Sequence, residues 1–244
     1  MTPRTPADVV IYAIGDIHGR LDLLDELHRR ILADAAVRPA RQRRLIYLGD
    51  LVSRGPDSRG VVERARTWQP AGFERVALRG NHEDLLLRTH AGEFAAARHW
   101  LDFGGIEAMA SYGITVSDDL SRDEAGIGEL CHRFAAAMPF EQMEFLESLP
   151  LSHRAGDFFF VHGGVRPGIA LDQQNPRDLI WIRKTFLNSD AEHGAVVVHG
   201  HCISREPEDR RNRIGIDTGA YHSGVLTCVV LDGAERDFLQ TRVV

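Results

Sequence analysis

Asp16 and His18 set a carboxylate and an imidazole one residue apart at the end of the apolar stretch VVIYAIGDIHGR. The same ending recurs along the chain. RLIYLGD closes on Asp50, RVALRGN on Asn81 with His82 following, DFFFVHGG on His162, and AVVVHGH on His199 and His201. Each apolar run reads as a buried strand, and in α/β sheets ligand-binding groups gather at the carboxyl ends of strands. If these five strands are neighbours, their ends place carboxylates, imidazoles and one amide around a common point. Mixed nitrogen and oxygen donors suit manganese, iron, zinc or cobalt rather than calcium or a thiolate site. Two divalent ions a few ångströms apart repel each other, so an anion must lie between them. Asp50 can serve, as can a hydroxide. A cation pair about 3.5–4 Å apart clamps the attacking and leaving oxygens of an in-line phosphoryl displacement. The chemistry implied is metal-assisted hydrolysis at phosphorus, with a bridging hydroxide as nucleophile and no protein nucleophile.

The elements that must position these residues follow from periodicity. Leu21, Leu24, Leu27, Ile31 and Leu32 recur at helical spacing between the first two strands. A shorter helix is expected over 58–68. Strand alternating with helix predicts an α/β fold. From about 85 to 150 the pattern becomes helical and Ala-rich, which reads as an insertion. Strands return at 157–164, 195–201, 213–219 and 224–233. The run 236–244 is expected to pair with its predecessor as a hairpin across LDGAER. Residues 1–244 read as one domain with a helical insertion at about 85–150, and residues 1–7 as a loose tail.

Composition narrows the function classes. The chain has 244 residues, 43% of them hydrophobic, and a net charge of −6, which argues against a nucleic-acid or anionic-membrane partner. An anionic substrate therefore needs locally placed cations. Lys184 is the single lysine, so arginine carries nearly all the positive charge. Three cysteines, Cys131, Cys202 and Cys228, fit no zinc or redox spacing. With no signal-like apolar core at the start and no run of membrane-spanning length, the expectation is a reduced, cytoplasmic protein.

In order, GDIHG, GDLVSRGP, RGNHE, VHGG and VHGH resemble the signature of the calcineurin-like metallophosphoesterases. Within that family they resemble the phosphoprotein phosphatase branch, which holds the phage lambda phosphatase, the eukaryotic serine/threonine phosphatases and the bacterial symmetrical diadenosine tetraphosphatases. The resemblance implies a four-layer α/β/β/α metallophosphoesterase sandwich. It implies two divalent metal ions, manganese first, with iron, zinc or cobalt as alternatives. Asp16, His18 and Asp50 would hold one ion; Asp50, Asn81, His162 and His201 would hold the other. His82 would be the general acid, and Arg54 and Arg183 would grip phosphate oxygens in guanidinium forks. Ile203 stands where many relatives outside this branch carry a further histidine, which matches the branch. Ser53 stands where its protein phosphatases carry an aspartate that supports the GNHE histidine. A hydroxyl supports an imidazole more weakly than a carboxylate does. Ser53 thus moves the expected substrate toward better leaving groups. The first expectation is a phosphomonoesterase acting on phosphoproteins. The alternatives are a diadenosine tetraphosphatase or related nucleotide anhydride hydrolase, and a catalytically idle phosphate-binding member.

Other residues take plainer readings. Ser53, His199 and Asp217 are expected behind the metal ligands, with a core role open for His199 and a turn role for Asp217. His28, His90, His99, His132, His153, His193 and His222 lie outside any motif and are expected on the surface or on helix faces. Trp68, Trp100 and Trp181 are expected in core or lid packing. Glu83 and Asp84 are expected to open a helix, where acidic groups favour the positive dipole end.

Overall fold

Strand β1 (Val9–Ile14) is six apolar residues, all buried, because both faces of its sheet are covered. Val10, Tyr12 and Ile14 enter a core shared with helices, while Val9, Ile11 and Ala13 enter the core between two sheets. The computed structural model describes residues 2–38, 42–117, 120 and 123–241. β2 (Gln42–Tyr47) and β3 (Phe73–Ala77) extend the sheet in parallel from β1. The crossovers are α1 (Leu21–Val37) and α2 (Ser58–Thr67). On the other side of β1, β9 (Thr227–Asp232) and β10 (Glu235–Gln240) pair antiparallel, giving the order β10-β9-β1-β2-β3. The expected final hairpin is present; its last residues, 242–244, lie outside the described residues.

The second sheet contains β4 (Ser152–Ala155), β5 (Phe158–Val161), β6 (Val196–His199), β7 (Glu208–Asp209) and β8 (Arg213–Gly215). Its order is β4-β5-β6-β8-β7, with β5, β6 and β8 parallel and the two edges antiparallel. Period-two alternation again divides the side chains. Phe158 and Phe160 of β5, with Val196 and Val198 of β6, fill the space between sheets. Phe159, Val161 and Val197 face outward onto α8 (Pro176–Trp181) and α9 (Lys184–Leu187), meeting Leu179 and Phe186. The layers therefore run helix, sheet, sheet, helix, as expected.

The segment expected to be helical from 85 to 150 is already helical at Asn81. It comprises α3 (Asn81–His90), α4 (Phe94–Trp100), a π-helical turn (Leu101–Gly105), α5 (Ile106–Ser111), α6 (Glu124–Ala137) and α7 (Phe140–Glu147). Residues 118–119 and 121–122 of that stretch lie outside the described residues. A last short helix, α10 (Ala220–Ser223), precedes β9.

Two expectations need correction, for the tail and for Leu32, and His28 lies on a helix face that is buried. The loose tail does not hold for Arg4 and Thr5: Arg4 N–H donates to Asp157 Oδ2 at 2.9 Å and Thr5 N–H to Gly233 O at 3.0 Å, which ties the start of the chain to turns of both sheets. On α1, Leu32 is 40% exposed and Leu23 is buried in its place, because Leu32 lies a helical step beyond the buried stripe. His28 is buried on α1, with its ring stacked on Trp68 at 4.0 Å and Nε2 2.9 Å from the Tyr47 hydroxyl.

Phe160 sits at 0% exposure between the sheets. Phe160→Ala should cost about 3–5 kcal/mol of unfolding free energy in a urea titration. A loss under 1 kcal/mol would mean that the two sheets do not share this core.

Candidate metal centre

Parallel pairing aims the carboxyl ends of β1, β2 and β3 at one edge of the first sheet, and those of β5, β6 and β8 at one edge of the second. Asp16 and His18 follow β1, Asp50 follows β2, and Asn81 and His82 follow β3. His162 follows β5, His201 follows β6 and Asp217 follows β8. The two edges are stitched together: His162 Nδ1 lies 3.0 Å from Leu48 O, and His201 N–H donates to the Asp16 carboxylate at 3.1 Å. Asp16, His18, Asp50, Asn81, His82, His162, His201 and Asp217 are all buried.

Asp50 is the hub. Its Oδ1 accepts the His82 backbone N–H at 3.0 Å and lies 3.3 Å from His162 Nε2. Its Oδ2 lies 3.5 Å from His18 Nε2 and 3.9 Å from His82 Nε2. Two triads share it, His18–Asp50–His82 and Asp50–His162–His201, each with one donor atom per residue within 4.8 Å of the others. Asn81 Oδ1 joins the second triad, 2.9 Å from His162 Nε2. The grouping differs from the expected ligand sets at two places. His82 lies with His18, and Asp16 lies in neither triad, its two oxygens accepting the His201 N–H at 3.1 Å each.

Tautomers follow from the partners. His18 Nδ1 faces Val52 O at 2.9 Å, and His162 Nδ1 faces Leu48 O. A carbonyl only accepts, so both Nδ1 atoms carry hydrogen and both Nε2 atoms face inward. Burial lowers His18 well below the usual imidazole range, His82 to about 4 and His201 to about 2. His162 is the exception: burial pulls it down, yet the Asp50 and Asp16 carboxylates push it up to about 10. Burial and the neighbouring Asp217 raise Asp16 well above the carboxylate range. Against burial, His162, His82 and His18 hold Asp50 well below it.

These residues fit divalent cations. Asp16 and Asp50 are buried without an arginine or lysine partner among the described residues. His82 Nδ1 and His201 Nε2 are buried with no hydrogen-bond partner. Buried charge needs compensation and buried donors need partners. An oxygen-and-nitrogen donor set around unpaired carboxylates is one that a pair of cations completes.

Backbone strain concentrates here. Among the described residues, six non-glycine positions have positive φ, and five of them are His18, Asp50, Ser53, Arg54 and His201. Two glycines allow the carboxylates to sit close: a Cβ on Gly200 would collide with Asp16 Oδ1, and one on Gly80 with Asp50 Oδ1.

Arg54 Nη2 lies 3.3 Å from His82 Nε2, and its guanidinium sits 4.7 Å above the Tyr221 ring. Arg183 is exposed, at the N-terminus of α9, near enough to His201 and Cys202 for its charge to bear on both. Ser53 does not contact His82 through a hydrogen bond; its Oγ accepts the Trp100 indole N–H at 2.8 Å. His199 shares the parity of Val197, so its ring points outward onto Phe186 at 5.1 Å, with Nδ1 3.0 Å from Gly200 O. Asp217 accepts the Gly219 N–H at 2.9 Å and shapes that turn beside Asp16. A cavity of about 810 Å³ lies beside the cluster between α3, α4 and α8, lined by Arg79, Asp84, Arg88, His99, Arg177 and Trp181 among others.

Glu83 does more than open a helix. Fully buried, it accepts Gly80 N–H and Asp50 N–H on Oε2 at 2.8 Å each, and Leu51 N–H at 2.8 Å and Val52 N–H at 3.3 Å on Oε1. It clasps the Asp50 turn to the start of α3. Burial and the Asp50 charge push its carboxyl up to about 7, and the N–H groups of Gly80 and Asp50 oppose that push. The sequence signal was a glutamate three residues after Gly80, the half of a capping box in which the carboxylate accepts the N-cap N–H. Glu83→Gln turns an amide NH₂ toward backbone donors. It should cost about 1–3 kcal/mol in urea unfolding and weaken manganese binding in calorimetric titration. Unchanged stability and affinity would remove the clasp.

The chain matches the family model described as calcineurin-like phosphoesterase over residues 9–224. It is 28% identical over 226 residues to serine/threonine-protein phosphatase 1 of Salmonella typhimurium, covering 89% of each chain. It is 32% identical over 163 residues to a symmetrical bis(5'-nucleosyl)-tetraphosphatase of an Acidovorax strain, covering 65% of this chain and 45% of that one. The chain thus spans under half the length of that relative. Among solved structures, that of a candidate diadenosine tetraphosphatase superposes with a TM-score of 0.63 at 21% identity, covering 98% of this chain and 96% of the other. With the family model covering nearly the whole chain and the strand-end cluster in place, this protein belongs to the calcineurin-like phosphoesterases.

Proposed function

We propose that this chain is a metal-dependent hydrolase of phosphate esters or anhydrides. The observation that carries the reading is Asp50, one carboxylate shared by two donor triads at the converging strand ends. Two divalent cations, when bound, supply Lewis-acid charge and lower the pKa of water toward neutrality. In this reading Asp16, His18 and Asp50 hold one cation, and Asp50, Asn81, His162 and His201 hold the other, manganese being the first choice. The Nδ1–H bonds of His18 and His162 to carbonyls keep both Nε2 atoms aimed inward, and His162 would give up its Nε2 proton to hold a cation. Arg54 binds the phosphate oxygens, and Arg183 approaches from the α9 side. His82, 3.3 Å from Arg54, faces the same phosphate and handles the proton of the leaving oxygen. Ser53, His199 and Asp217 act behind these groups: Ser53 through Trp100, His199 through Phe186, and Asp217 through its turn.

The first substrate reading is a phosphomonoester on a phosphoprotein, supported by the end-to-end similarity to a serine/threonine phosphatase. A second reading, a nucleotide anhydride, is favoured by His82. Its Nδ1 has no partner and the Ser53 hydroxyl accepts the Trp100 indole N–H, so no carboxylate is bonded at Nδ1 to hold the ring in its protonated form. An anhydride leaves as a phosphate, which needs less proton assistance than a serine alkoxide. The arginines of the adjoining cavity suit an anionic leaving group. A cytoplasmic place of action fits three free cysteines. No helix among the described residues is long and apolar enough to cross a membrane.

The manganese-loaded protein should hydrolyse p-nitrophenyl phosphate, and chelation should abolish that. Asp50→Asn should cut kcat at least about 10³-fold, because it weakens both cation sites; near-normal turnover would sink the shared-carboxylate reading. A panel of phosphoserine peptide and diadenosine tetraphosphate separates the substrates. Preference for the dinucleotide by orders of magnitude would replace the first substrate reading with the second.

A further inference from the structure

We propose that Trp100 and Gly104, in the helical segment rather than at the ligand-bearing strand ends, are positioning residues for the phosphate-gripping turn at Ser53 and Arg54. The inference rests on Arg54 binding phosphate. Both turn residues hold left-handed backbone, with φ of 78° and 69°. Non-glycine residues keep such a conformation only where surroundings over-determine it. Inside the turn, Gly55 N–H donates to Ser53 O at 2.8 Å, and Ser53 N–H to Ser58 Oγ at 2.9 Å. The helical segment supplies two further bonds from one short stretch. The Trp100 indole N–H donates to Ser53 Oγ at 2.8 Å, and Arg54 N–H donates to Gly104 O at 3.1 Å.

The stretch is built for this approach. Trp100 is fully buried, with its ring packed on Phe134 at 5.3 Å. Its N–H has no water to turn to, and an indole is the side chain that combines a rigid apolar body with a single donor. Between Trp100 and Gly104 the helix widens to a π turn and breaks its geometry at Phe103 and Gly104. Gly104 has φ of 100°, and a Cβ there would collide with the Arg54 backbone. The π turn thus presents one carbonyl at van der Waals closeness to Arg54. Beyond the turn, the Arg54 side chain is held between His82 and Tyr221. Moving the turn moves the guanidinium. Ser53 here serves as acceptor for the indole, so the hydroxyl has a structural task that does not involve His82.

The test uses the full chain loaded with manganese, p-nitrophenyl phosphate as substrate and tungstate as competitive phosphate mimic. Trp100→Phe keeps a ring and removes the N–H. KM and the tungstate Ki should rise together by about tenfold, with a smaller change in kcat and unchanged manganese affinity. A purely structural role would lower kcat through lost active protein and leave KM and Ki fixed; that result overturns the proposal. Should Trp100→Phe fail to fold, Ser53→Ala removes the acceptor and should give the same pattern. Gly104→Ala should reproduce the rise, whereas Gly113→Ala should not: Gly113 also has positive φ, 83°, but nothing lies within 4 Å of its Cβ position. In an Arg54→Ala background, Trp100→Phe should add nothing. If Arg54→Ala raises Ki while Trp100→Phe and Gly104→Ala do not, the positioning role fails alone. If Arg54→Ala leaves Ki unchanged, the phosphate role of Arg54 fails and takes the inference with it.

Discussion

A carboxylate shut away from water with no arginine or lysine beside it is the constraint on which this molecule turns. Asp50 is 2% exposed and, among the described residues, meets only imidazoles and backbone N–H groups at its oxygens. Asp16, Glu83 and Asp217 are buried within the same neighbourhood. Of the surrounding imidazoles, His162 alone is pushed toward the charged form, while burial holds His18, His82 and His201 neutral. His162 meets the Asp50 charge, while Asp16, Glu83 and Asp217 ionise only against the cost of burial. Isolated buried charge is expensive, and cations at the strand ends are the natural counterweight. Ligand deprotonation then links cation binding to pH and to folding.

The scaffold answers that demand by geometry rather than by extra side chains. Two parallel triplets of strands, one in each sheet, end at facing edges, so residues far apart in the chain arrive at one place. The chain then bends sharply, and the bends carry the strain: five left-handed non-glycine residues lie at the cluster. Glu83 holds one of those bends by accepting four N–H groups, and the helical segment holds another through Trp100 and Gly104. The strained turns are thus fixed by Glu83, Trp100 and Gly104, none of which stands among the donor groups of the two triads.

Strand ends were legible in the sequence because the ligand types are rare on apolar runs and repeat in order. β1, β5 and β6 announced themselves by continuous hydrophobicity, the mark of strands covered on both faces, and β2 by the apolar half that precedes Gly49-Asp50. β4 and β7 did not, since SHRA and ED are short, polar edge segments. His199 was ambiguous until parity placed it with Val197 on the outer face. Glu83 looked like a helix-start acid because its four partners are backbone groups, which leave no trace in composition. The Ser53–Trp100 bond spans 47 positions and joins a turn to a helix across the core. No periodicity in one sequence encodes such a pairing.

Under the proposed function, with His82 as general acid, that bond also bears on what the site asks of its substrate. A general acid must find its proton easily at the working pH. His82 is buried, beside the Arg54 guanidinium, with Nδ1 unpartnered and the nearest hydroxyl turned to an indole. Both burial and the adjacent positive charge discourage a second charge on its ring. Such an imidazole assists a departing phosphate more readily than a departing alkoxide. In the proposed reading the residue at position 53 therefore acts at two places at once: it leaves His82 Nδ1 without a carboxylate partner, and it gives the Arg54 turn an anchor in the helical segment. In that reading, substrate preference and phosphate grip are joined through one side chain that contributes no donor atom to either triad.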